Sequence, residues 1–195
     1  MWAIAYGVTH HLGLLPGGLG EAGGSTRWVD WLDLLVPFVV VGSALAALAA
    51  AHTDRRGWVA AVTGSVLYAQ GHGVHLAANS ISNARGDVPP THLWDETVGH
   101  LLWYGGLALL AAVLARAFAT GGLRVGWLSR GLAVLTGATW ATNTLGADEL
   151  IIPGLAGAVA LGTYGWRLRS TGAGQLLMLT FVPSAVGLSI ALVAA

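Results

Sequence analysis

His72, His75 and Asn79 recur at i, i+3 and i+7 in an otherwise apolar stretch, and a second apolar stretch opens with His92, Asp95, Glu96 and His100. Imidazole nitrogens and carboxylate oxygens are the donor set of Zn²⁺ and of non-haem iron, and an open coordination position leaves a water to be activated. At 100° per residue the first three side chains fall within an arc of ~60° on one helix face. On the second stretch His92, Glu96 and His100 share a face, whereas Asp95 points about 140° away from His100. The expected metal ligands are therefore His72, His75, His100 and Glu96. Asp95 is expected as a further ligand if the helix starts late, or as an acceptor behind the ligands.

Apolar surroundings give these groups their meaning. The chain has 195 residues, 55% hydrophobic and 9% charged, against about 25% charged in a typical soluble domain. Several apolar runs approach the length needed to cross a bilayer, so the fold class expected is an all-α integral membrane protein, one membrane domain over residues 1–195. Ionisable residues inside such runs are costly and are usually kept for a task. Cysteine is absent, which removes disulfides, thiolate ligands and cysteine nucleophiles. Net charge is zero with no basic block, so nucleic acid is excluded as a partner on electrostatic grounds.

Six spans position the cluster. They are drawn at Trp31 to Ala51, Trp58 to Ser80, Trp94 to Ala117, Trp127 to Leu145, Leu150 to Trp166 and Gly174 to Ala194, with Trp marking several interfacial ends. Met1 to Leu15 are expected to form a short interfacial or re-entrant segment, and His10 and His11 are expected at the surface or interface unless that segment folds over the site as a lid. Met1 to Leu15 lacks the basic start and small-residue cleavage site of a removed signal peptide. All nine basic residues are Arg, and seven fall on one side of this topology. That side is the cytoplasm by the positive-inside rule, which places both termini, the Ile81 to Leu93 loop, Asp87, Asp148 and Glu149 outside.

At a rise of about 1.5 Å per residue, His72 lies about 21 Å along its span from Trp58, and His100 about 9 Å inward from Trp94. The two therefore meet in the outer third of the bilayer. Asn143 and Glu149, at the facing ends of spans four and five, sit at a similar level. Glu149 is a candidate ligand, Glu96 or Asp95 a candidate general base, and Asn79 and Asn143 candidates to orient water or an oxyanion.

The donor set favours Zn²⁺ over iron. Haem b between His75 and His100 would need an apolar slot that the neighbouring carboxylates and amides spoil. Membrane desaturases, with about eight His in HxxxH and HxxHH boxes, do not fit. The chemistry resembles that of the ceramidase-like membrane hydrolases, which hold Zn²⁺ with three His beside Asp in a helical bundle. Their paired His on the last helix has no counterpart in span six, which contains none. The expectation is a metal-dependent membrane hydrolase acting on a lipid or other amphiphilic small molecule. An ion or proton transporter is the alternative; it would need the polar path to continue inward.

Overall fold

The computed structural model describes residues 1–86, 88–146 and 148–194. Asp87 and the side chain of Asp148, both expected on the outer side, lie outside the described part. The chain is predominantly helical, as the apolar periodicity requires. It opens with α1 (Trp2–Thr9), two 3₁₀ turns (Leu12–Leu14 and Pro16–Leu19), and a small antiparallel hairpin, β1 (Glu21–Gly23) and β2 (Thr26–Arg27). Next come α2 (Trp28–Asp33), α3 (Val36–Ala50) and the long α4 (Arg55–Arg85). A short α5 (Pro89–His92) leads through a π-helical segment, Leu93–Gly99, into α6 (His100–Ala119). The remainder is α7 (Trp127–Thr144), α8 (Ile151–Arg167) and α9 (Gly172–Ala194).

Three stretches are long and apolar enough to cross a membrane: Trp28–Ala50, Pro89–Ala119 and Gly172–Ala194. The other three expected spans coincide with α4, α7 and α8 but fall short of that standard for physical reasons. Gln70, His72, His75, Asn79 and three Arg lower the hydropathy of α4; Thr, Asn and Arg do the same for α7; and α8 has 17 residues.

Local chemistry sets the ends. Asp54 caps α4 by accepting from the Gly57 N–H at 2.7 Å, and Gly86 closes the helix with φ of 85°, a conformation that suits glycine. Arg27 and Asp30 fix the start of α2, where the Arg27 main-chain N–H and guanidinium both donate to the Asp30 carboxylate.

Small residues bring the helices together. Gly64 and Gly71 of α4 lie against Gly106 and Gly99 so closely that a Cβ at Gly71 would collide with the Trp103 and Gly99 backbone. A Cβ at Gly99 would lie 3.0 Å from the His75 nitrogen. This seam places His75 beside His100.

The N-terminal segment folds into the bundle. α1 packs against α3 and α7 inside the bundle, with Tyr6 buried and stacked on Trp2. His10, expected at the surface or interface unless this segment folded over the site, takes the second course: it ends α1 partly buried and lines the cavity at the histidine cluster. His11 turns back to end the helix, its Nδ1 2.7 Å from the Gly7 carbonyl.

Candidate metal centre

Three elements each supply one donor. His75 comes from α4, Asp95 from the π segment and His100 from the first turn of α6, and one ligand atom of each lies within 4.8 Å of the others. Asp95 and His100 are buried and His75 is nearly so.

The π segment decides which carboxylate enters. A regular α-helix would put Glu96, four residues before His100, on the inner face. A π turn carries an additional residue per hydrogen-bonded ring, so the residue five positions back comes round instead. Accordingly the His100 Nδ1–H donates to the Asp95 carbonyl at 2.8 Å, and the Asp95 side chain turns to His75. Glu96 stays at the margin, its Oε2 3.8 Å from His100 Nδ1 and its side chain 30% exposed.

His75 Nδ1 and Asp95 Oδ1 lie 2.5 Å apart, paired with each other, and a cation bound between them would replace the proton they share. The Asp95 carbonyl can only accept, so His100 carries its proton on Nδ1 and leaves the Nε2 lone pair free, the usual preparation of a histidine ligand.

His72 is prepared in the same way. Its Nε2–H donates to the Asp33 carbonyl at 3.0 Å, with Asp33 Oδ1 at 3.4 Å, and its Nδ1 is buried with no partner. Its ring centroid lies 6.5 Å from that of His75, one step outside the three-residue group. His10 completes the histidine row, accepting from the Tyr68 hydroxyl at 3.1 Å through Nε2.

Trp103 forms the floor beneath them. Its ring centroid is 4.8 Å from His10, 5.6 Å from His72, 5.5 Å from His75 and 5.2 Å from His100. A cavity of about 240 Å³ opens over this row, lined in part by His10, Asp33, His72, His75, His100 and Asn143. Asn79 also faces it and accepts from the Asn83 amide at 2.7 Å.

Glu149 is not brought into the group. It pairs with His92 on the surface at 3.3 Å, both side chains about half exposed. Its carboxyl is held below the usual carboxylate range, first by its own main-chain N–H and then by His92.

Sequence reasoning missed Trp103, Asp33 and Tyr68 and placed His10 elsewhere. Trp103 carried a signal, since it stands three residues beyond His100 on the same face of α6. Asp33 carried none beyond its charge, because its partner lies 39 residues away. The chain matches no family model, no curated protein and no solved structure, so the centre is read from its own geometry.

Proposed function

We propose that this is an integral membrane protein of six spans, with α2–α3, α4, the α5–α6 stretch, α7, α8 and α9 as the spans. It holds a divalent transition metal, Zn²⁺ before iron, on His75, Asp95 and His100. The observation that carries the reading is the convergence of three donor atoms within 4.8 Å, from two buried residues and one partly buried. The seven Arg at one end of the bundle support an orientation with the centre near the outer face and the C-terminus outside, whereas α1 runs inward from His10 at the centre to Trp2 beside Leu114 and Phe118, which turns the N-terminus, expected outside, towards the Arg-rich end.

A metal-dependent hydrolysis suits the arrangement. A divalent metal held by His75, Asp95 and His100 would supply Lewis acidity for activating water and polarising the bond to be cleaved. Glu96, at the margin and 3.8 Å from His100, takes the water's proton and returns it to the leaving group. His72, with Nδ1 free, serves as an additional ligand or hydrogen-bond acceptor, and Asn79 and Asn143 orient the substrate.

The cavity bounds the substrate. At about 240 Å³ it lies below the usual 300–1,000 Å³ of ligand pockets and has a substantially polar wall. It accommodates a small polar molecule or the headgroup of an amphiphile, with any acyl chain left in the bilayer.

Two rival readings are less well supported. A haem would have to fit between His75 and His100, whose ring centroids are 4.6 Å apart with Asp95 beside them. A transporter would need the path to continue, but among the described residues the row ends inward at Tyr68, and the polar side chains beyond it in the core are Ser and Thr.

The test is turnover of headgroup-sized esters, amides and phosphoesters by protein purified in detergent, before and after chelation. Hydrolysis abolished by the chelator and restored by Zn²⁺ is the expected result. Hydrolysis indifferent to the chelator would overturn the reading.

A further inference from the structure

A second cavity, of about 220 Å³, lies at the Arg-rich end of the bundle and takes no part in the metal centre. Leu114 and Phe118 of α6, Leu132 of α7, and Leu176 and Phe181 of α9 form its walls, and Trp2 of α1 closes the end nearer the centre. Those walls are almost wholly apolar, with the Trp2 indole N–H and the Ser129, Thr136 and Thr180 hydroxyls as the few polar groups, so water finds few partners there and a void would forfeit the dispersion contacts of the wall residues. A peptide would bring more backbone groups than these few could satisfy. A hydrocarbon chain meets both demands.

The rim supplies the charge. Leu123 and Ser129 line the mouth, and their neighbours Arg124 and Arg130 are both exposed. Arg55, Arg56, Arg116, Arg167 and Arg169 lie at the same end, where the described carboxylate is Asp54, already paired with Arg116 at 2.6 Å. Arg124 and Arg130 are therefore exposed beside the mouth, with no acid paired to them among the described residues.

We propose that this groove is a binding site for one anionic phospholipid, its acyl chain between α6, α7 and α9 and its phosphate met by Arg124 and Arg130. Guanidinium recognises phosphate through paired N–H donors, and juxtamembrane Arg favours anionic headgroups. The proposal rests on the membrane placement above and is independent of the metal.

The test is native mass spectrometry of the whole chain released from nanodiscs of equal phosphatidylglycerol and phosphatidylcholine. Incorporation into the discs checks membrane placement separately from lipid retention. One phosphatidylglycerol per chain should survive activation that strips the surrounding lipids. Ala133→Phe, which fills the groove, should lose it. The Arg124→Gln/Arg130→Gln double variant, altered at the surface alone, should bind it roughly tenfold more weakly and lose the preference over phosphatidylcholine. If Ala133→Phe fails to fold, Ala115→Leu and the Arg variant decide. No retained lipid in the wild type, or retention in the filled and Arg variants equal to that of the wild type, would overturn the site.

Discussion

The α8–α9 and α4–α6 glycine seams of the bundle differ in what they carry. In the α8–α9 seam, Gly165 and Gly174 let the backbones meet against Leu177 and Leu168, and neither helix contributes a histidine or a carboxylate. In the α4–α6 seam, Gly64, Gly71, Gly99 and Gly106 do the same, yet His72, His75, Asp95 and His100 all lie along it. Close helix packing in a bilayer needs only small residues. The polar groups of the α4–α6 seam are thus a burden that packing does not require, and a bound metal is what would offset it.

Breaking the polar seam should have the largest effect. His75→Ala and His100→Ala should each remove most bound metal, because one of three donors is lost, while His52→Ala, at the Arg-rich end, should leave metal content at the wild-type value. Metal analysis of the three purified variants checks this.

The next contrast tests the backbone approach itself. Gly71→Val should force α4 from α6, costing about 1–3 kcal/mol by overpacking and reducing metal occupancy with it. Gly73→Ala, two residues on and facing open space, should keep the metal and gain up to about 1 kcal/mol of helix stability. Thermal unfolding with parallel metal analysis separates them.

Smaller still is the difference between the two carboxylates. Asp95→Asn should lose metal, and Glu96→Gln should retain it with reduced turnover. The reverse pattern would mean that the π segment relaxes to a regular helix around the ion. Smallest of all, Glu149→Gln should leave metal content unchanged, since the pair with His92 is exposed and outside the group.

Much of this site was legible in residue spacing. The placement of His72 and His75 on one face, and the meeting of His75 with His100, follow from helix geometry and Trp-marked ends, whereas His72 pairs with Asp33 outside the three-residue group. The Asp95-for-Glu96 exchange does not, because the sequence pattern assumes 3.6 residues per turn and a π turn rotates everything before it. His10 was illegible for another reason: an eight-residue apolar helix reads equally well as interfacial, and only its fit between α3 and α7 decides. Hydropathy likewise draws six spans, but α4 pays for its histidines and amides with an apolarity below that of a free-standing membrane helix.

The most direct measurement is elemental analysis of the detergent-purified wild-type chain combined with X-ray absorption at the edge of the metal found. The account predicts one divalent transition metal per chain, bound by nitrogen and oxygen with imidazole scattering, and lost in His100→Ala. Wild-type protein that remains metal-free after incubation with Zn²⁺ or Fe²⁺, or metal retained in full by His100→Ala, would contradict it.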